Sequence, residues 1–325
     1  MYKFEEYIKN HRVLILDGSK RLANYPNITL DRIYRPLTKK WERDWRKVYE
    51  HVSFLKNRQQ WYGEWSKQAE GYDMGIFING IRGRDVIEFF REKNPKARII
   101  MYYETPVEKR NKPKDYQGLG VEFVSFDRDN CREWGMKYSH FYYDYYEGTV
   151  DDIRQDQTKF VVNNDIYFCG YDKHRLDYLI ELQDKFKAMG LSHKMIVVRT
   201  PHKRYAAKYE KYLSPGRFPY QVLAEGIYQS RAILDIVEPG QCGITLRPME
   251  SIFFQKKLIT NNPDVVNYDF YRKNNVFIIG QQPWEEVHTF LTTPYEEVPM
   301  DIVQRYTVES WMERFFEQNR EYEGI

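Results

Sequence analysis

The chain has 325 residues, 42% apolar and 30% charged, and its net charge is +3. At about 150 residues per domain, this length suits two domains with separate cores, and the apolar content excludes a disordered chain. No apolar run approaches the roughly 20 residues of a membrane-spanning helix, and the near-neutral charge excludes a protein built around nucleic acid. Cys131, Cys169 and Cys242 lie far apart without a CxxC pair, which argues against a disulfide framework or a zinc knuckle. The N-terminal stretch MYKFEEYIKNHRVLILDG has only a short apolar run behind acidic residues, unlike a secretory leader. The expectation is a reduced, cytoplasmic protein. The 28 Tyr, 19 Phe and 7 Trp suit half-buried packing or platforms for sugar rings, and composition does not choose between these.

In chain order, Arg12–Leu16 reads as a buried strand ending in the turn Asp17-Gly18-Ser19. The segment Lys39–Lys47 (KKWERDWRK) mixes bases with Trp and leads into a Trp- and Tyr-rich stretch from Val48 to Gly71. It fits an anionic membrane surface, although a helix with solvated charges and Trp packed inward is the favoured reading. Gly75–Ile78, Arg98–Tyr103 and Val121–Ser125 read as further strands, with helices over Asp85–Arg91 and Asp127–Trp134. Strands alternating with helices argue for parallel α/β layers. Tyr142–Gln157 is acidic and polar with no period, and places a domain boundary near residue 158. A second start follows at Asp165–Cys169. Lys173–Met189 then carries Leu176, Leu179, Ile180, Leu182 and Phe186 on one helical face, and Lys194–Val198 closes a βαβ unit. Ala232–Ile236, Pro248–Phe254, Leu258–Thr260 and Val276–Ile279 continue the pattern. A last helix is expected over Met300–Phe316, with Val303, Tyr306, Val308, Trp311, Met312 and Phe315 as its apolar set.

The chain lacks GxGxxG after a strand, GxxxxGK[ST], HExxH and GxSxG. Gly80-Ile-Arg-Gly83 is a weak match to a phosphate loop. The strongest local signal is QCGITLRPME, Gln241–Glu250. Its Gly243 turn leads through Thr245 and Arg247 to a helix opening at Pro248, a suitable cradle for an anion. Glu250 in the first turn suits a ribose diol, or equally complements the helix dipole while pairing with Arg247 at the surface. In the second cluster, GYDKHR from Gly170 to Arg175, Lys173 and Arg175 suit a diphosphate at the carboxyl end of a strand. The alternative makes Asp172 a helix cap and leaves both bases solvated.

Three segments carry a resemblance: YFCGYDKHRLDYLIEL, SRAILDIVEPGQCGITLRPMESIFFQKKLITNN and YDFYRKNNVFII. They resemble the donor-binding domain of GT-B-fold glycosyltransferases, in particular bacterial proteins of lipopolysaccharide and capsule biosynthesis. The resemblance covers about a third of the chain well. It implies an α/β fold of GT-B type, with two Rossmann-like domains whose parallel sheets face across a cleft. The N-terminal acceptor-side domain would span 1–158 and the nucleotide-sugar domain 159–300, with a helix in 301–325 crossing back. By the same resemblance Gly170, Lys173 and Arg175 meet the donor diphosphate, Gly243 and Thr245 form the phosphate turn, Arg247 supports it, and Glu250 holds the ribose.

Sugar transfer expels a nucleoside diphosphate, whose growing charge is stabilised by N–H groups and cations, and no metal or other cofactor is expected. An inverting enzyme needs a base from the N-terminal half. Asp17 and Glu104, just past their strands, are the positional candidates, although turn or loop roles fit them better. The expected partners are a nucleotide-sugar and a bacterial glycan or glycolipid acceptor, with peripheral contact at the inner membrane and no nucleic acid. The rival readings are a sugar-nucleotide epimerase of the same fold and a non-catalytic scaffold.

Overall fold

The computed structural model describes residues 2–51, 58–78, 84–107, 111–144, 148–201, 203–214, 216, 218–237 and 243–316. The chain forms two compact units, one of Met1–Asp144 with Thr307–Ile325, the other of Tyr145–Tyr306.

The first unit holds strands β1 (Val13–Leu16), β2 (Ile28–Asp31), β3 (Met74–Ile78), β4 (Arg98–Tyr103), β5 (Val121–Ser125) and β6 (Lys137–Tyr138). Its helices are α1 (Lys3–Tyr7), α2 (Lys40–His51), α3 (Arg84–Lys93) and α4 (Arg128–Trp134). The sheet runs β2-β1-β3-β4-β5-β6 with every pair parallel. Both faces are covered, which is why β1 reads as an unbroken apolar run. Leu14 and Leu16 enter a core with Phe77, Phe90 and Trp65, while Val13 and Ile15 enter the opposite one with Met74 and Ile76. Because β1 has β2 on one side and β3 on the other, the strand order reverses at β1.

The second unit holds α5 (Val150–Asp156), β7 (Asn164–Tyr171), α6 (Leu176–Ala188), β8 (His193–Val198), α7 (Tyr220–Tyr228) and β9 (Ser230–Asp235). It continues through α8 (Leu246–Phe253), β10 (Lys257–Thr260), β11 (Val276–Ile278), α9 (Val287–Thr292) and α10 (Met300–Gln304). Its parallel sheet runs β11-β10-β9-β7-β8, so the order reverses at β7. In open parallel sheets such a reversal opens a crevice at the carboxyl ends of the strands.

Four sequence expectations differ from the structure. The division falls at Asp144 rather than near 158. The acidic stretch contains α5, capped by Thr149, whose hydroxyl accepts the Asp152 N–H at 3.2 Å. Val150 and Ile153 are buried, α5 packs on α8, and Phe160 stacks on Tyr228 at 4.7 Å, all within the second unit. The helix expected over Met300–Phe316 is broken at Arg305–Thr307 into α10 and α11 (Val308–Glu313). The break sorts its apolar residues. Tyr306 donates to Asp269 at 2.6 Å in the second unit, whereas Val308, Trp311, Met312 and Phe315 enter the core of the first. Third, the helix after β7 begins at Leu176, since Lys173 and His174 take φ of 44° and 65°. Finally, Trp41 and Trp45 of α2 do not pack inward: they are 59% and 53% exposed, while Trp61 and Trp65 are buried.

Among the described residues no helix is long and apolar enough to cross a membrane.

Candidate functional site

At the carboxyl end of β7 the chain turns sharply. Asp172 is fully buried there. Its Oδ1 accepts the Leu176 N–H at 2.9 Å, and its Oδ2 accepts the Tyr205 hydroxyl at 2.8 Å and the Lys203 ammonium. Burial pushes the carboxyl pKa up, but Lys203, Tyr205 and the Leu176 N–H outweigh it and hold the pKa below the ordinary aspartate value. Asp172 is therefore a structural cap. The left-handed backbone at Lys173 and His174 leaves both side chains exposed, and the Lys173 N–H donates to Thr200 at 2.9 Å. The guanidinium of Arg175 folds back, donating to the Tyr171 carbonyl at 3.1 and 3.3 Å and lying 5.3 Å over the Phe168 ring. A Cβ on Gly170 would sit 3.1 Å from an Arg175 nitrogen and 3.3 Å from that ring, so the glycine keeps room for the guanidinium.

Across the reversal, β9 ends at Asp235, which is 2% exposed. Its two oxygens accept the Thr245 hydroxyl at 2.9 Å and the Thr260 hydroxyl at 3.0 Å. Burial raises its pKa, opposed by these hydroxyls and by the charges of Arg175 and Arg247. Both arginines thus lie within electrostatic reach of one carboxylate. Thr245 also caps α8, accepting the Arg247 N–H at 3.2 Å, and Gly243 turns the chain with φ of 88° while its carbonyl accepts Asn262 at 3.1 Å. Helix α8 opens at Leu246, two residues before the expected Pro248. Pro248 stays within the first turn, where no intrahelical N–H bond is lost.

Glu250 has no accessible surface. One oxygen accepts the Tyr220 hydroxyl at 3.0 Å and the other is ion-paired with Arg247, whose own side chain is 14% exposed. Burial pushes the Glu250 pKa up to about 7, against the opposing pull of Arg247 and Tyr220. The pairing foreseen at the surface is thus internal. A ribose diol would reach this carboxylate only by displacing Tyr220 or Arg247. Cys169, beside this pair, is buried and its thiol pKa is raised by burial.

In the first unit, Asp17 follows β1 at the strand-order reversal, with φ of 58° and its N–H donating to Asp31 at 2.9 Å. It borders a cavity of about 300 Å³. Partial burial of the carboxyl raises its pKa, offset by the Ile33 N–H and by Arg32. Glu104 follows β4, is half-buried, and accepts the hydroxyl of buried Tyr142 at 2.6 Å. One strand separates β1 from β4, so the two carboxylate-bearing strand ends stand about 10 Å apart along the sheet.

Gly80–Gly83, Gln241 and Cys242 lie outside the described residues. Asp235, Thr260 and Tyr220 were missed by sequence reasoning, as were the arginines around Asp17. Asp235 had one signal: a carboxylate closing the apolar run Ala232–Leu234. Among the described residues, no group of three or more His, Cys, Asp or Glu is placed to hold a metal ion.

The second unit therefore gathers two guanidiniums, an exposed ammonium, a threonine hydroxyl and a helix N-terminus at one sheet edge, an arrangement suited to a phosphorylated ligand. No protein-family model matches the chain, and no curated sequence does. Among solved structures, sucrose-phosphate synthase from Thermosynechococcus elongatus aligns with a TM-score of 0.55 at 10% identity, over 96% of this chain and 89% of that one. A Listeria monocytogenes protein described as a UDP-N-acetylglucosamine 2-epimerase aligns with a TM-score of 0.44 at 8% identity, over 97% and 99%. The first alignment and the two parallel sheets together make the fold GT-B-like, built from two α/β units.

Proposed function

We propose that the protein is a glycosyltransferase that moves a sugar from a nucleotide-sugar to a bacterial surface-glycan or lipid-linked acceptor. The observation that carries this reading is the edge at the β7 reversal, where Thr245 caps α8 beside buried Asp235 and the loop of Lys173 and Arg175 follows β7. The second unit binds the donor. As the C1–O bond to the diphosphate breaks, negative charge grows on the leaving oxygens, and Lys173, Arg175, Arg247 and the α8 N-terminus stabilise it. Gly170 and Gly243 shape the two loops, and Glu250 holds Arg247 in place and meets the ribose once Tyr220 swings away. The acceptor hydroxyl attacks C1 and gives its proton to a carboxylate base. Asp17, with its raised pKa, suits that task better than Glu104, which is already bonded to Tyr142. The sugar-handling name of the sucrose-phosphate synthase that shares the fold supports this reading.

The test is a thermal-shift screen with UDP, GDP, CMP, ADP and dTDP, with and without magnesium. One nucleotide at a hundredfold excess over its Kd should stabilise the fold by about 2.7 kcal/mol. Arg175→Gln should weaken that nucleotide about tenfold. No shift with any nucleotide would sink the donor site. An isomerised sugar nucleotide in the absence of acceptor would replace transfer with epimerisation.

A further inference from the structure

The cavity beside Asp17 carries charge that the donor site does not use. Arg32 and Arg35 leave β2 three residues apart, and Arg43 and Arg46 stand one turn apart on α2, and all four line it. Two of the four are already occupied. Arg35 pairs with Glu42 at 3.0 Å, and the Arg46 guanidinium lies 4.9 Å over the Tyr34 ring. Behind it, buried Arg58 also lies over Tyr34, at 5.7 Å, and is itself neutralised by Asp85. Arg32 and Arg43 are exposed and make no ion pair among the described residues. Among the described residues, Asp17 is the one carboxylate lining the cavity.

Four guanidiniums around about 300 Å³, with one lining carboxylate and Glu42 as counter-charges, leave the wall cationic. That volume lies at the small end of ligand pockets. Guanidinium groups match phosphate oxygens with a planar, two-pronged fork, which a solvated lysine does not. The cavity also sits where the strand order reverses, at the carboxyl edge of its sheet, where open parallel sheets take ligands.

We propose that this cavity binds the phosphate group of the acceptor, so that the acceptor is a phosphate or diphosphate ester rather than a neutral glycan. The inference rests on the transferase reading and deepens it. Arg32 and Arg43 grip the phosphate, Tyr34 and the Arg46 over its ring form the wall, and Asp17 lies at the rim for the hydroxyl that attacks.

The test is calorimetric titration of the full chain with inorganic pyrophosphate. Two backgrounds keep the sites apart: Arg175→Gln, which cripples the donor edge, and the double variant Arg32→Gln/Arg43→Gln. Pyrophosphate should still bind Arg175→Gln, and adding the double substitution should weaken it about tenfold for each arginine removed. The double variant alone should leave nucleotide affinity within about twofold, since neither arginine shares a partner with the donor edge. Further arms compare a hexose 6-phosphate with a short-chain alkyl diphosphate. Tighter binding of the first marks a soluble acceptor and of the second a lipid-linked one. Pyrophosphate binding that disappears in Arg175→Gln, or that ignores the Arg32/Arg43 substitutions, overturns the proposal. If pyrophosphate binds through Arg32 and Arg43 while no nucleotide binds, the transferase reading fails and takes the acceptor role with it. The anion site alone then remains.

Discussion

In the second unit, Asp172, Asp235 and Glu250 are buried and each is held inside the protein, by Lys203 and Tyr205, by two threonines, and by Arg247 and Tyr220. In the first unit, the equivalent sheet edge carries Arg32 and Arg43 in the open, and among the described residues Asp17 is the group of opposite sign lining the cavity beside them. The same topological position is thus prepared in two ways. One edge pairs Lys203 and Arg247 with its own buried carboxylates and is sensitive to protons. The other leaves its counter-charge to be supplied from solution and is sensitive to salt.

Truncating an arginine at each edge separates the two most widely. Arg247→Ala strands Glu250 in a buried site and should destabilise the fold by about 3–5 kcal/mol in urea denaturation. Arg32→Ala should stay within about 0.5 kcal/mol. Equal effects would erase the distinction.

Next comes pH. The Glu250 pKa is raised from 4.5 to about 7, so the folded chain holds a proton that the unfolded chain releases. Its contribution to stability is therefore complete below the unfolded value and declines as pH rises toward 7. At most about 3 kcal/mol is at stake. Glu250→Gln should flatten that part of the stability–pH curve, and an unchanged slope would place the carboxylate in ionised form throughout.

Asp172 has the opposite sign. Its pKa is held down, so its contribution is present above the ordinary aspartate range and is lost as pH falls through the folded value. Asp172→Asn should cost about 2 kcal/mol at pH 7 and less at pH 3, read by chemical denaturation at each pH. The smallest effect belongs to α2. Trp41→Ala and Trp45→Ala, on an exposed face, should each change stability by no more than about 0.5 kcal/mol.

What the sequence makes legible follows from what surrounds each segment. β1 and β3, and β4 after Arg98, are apolar because both of their faces are covered, and each is readable as a strand. β2 is half-exposed and β6 has only two residues, so neither has a pattern to read. The capping signal of α5, Thr149 with Asp152, was present in the sequence but submerged in an acidic stretch. In α2 the one-sided spacing of Trp41, Trp45 and Val48 marks a face without saying whether anything covers it. The site shows the same limit. An Arg and a Glu three apart announce their pairing, but the burial of Glu250 depends on Tyr220, thirty residues earlier in the chain. Asp17 and Glu104 could be placed at strand ends, whereas the arginine wall beside Asp17 needed β2 and α2 to be brought together in space.

The re-entry of the chain at Thr307 bears on how the protein is made. The second unit is one continuous segment, 145–306, and every residue it needs has left the ribosome before α11 has. The first unit must wait. Until Val308, Trp311, Met312 and Phe315 emerge, the apolar face formed by Val13, Ile15, Ile76, Ile100 and Tyr102 lacks part of its cover. The usual order of synthesis, amino-terminal domain first, is thereby reversed for completion. The half of the molecule translated first is finished last, and for the time needed to translate more than 150 further residues it is an unfinished sheet in need of protection from aggregation.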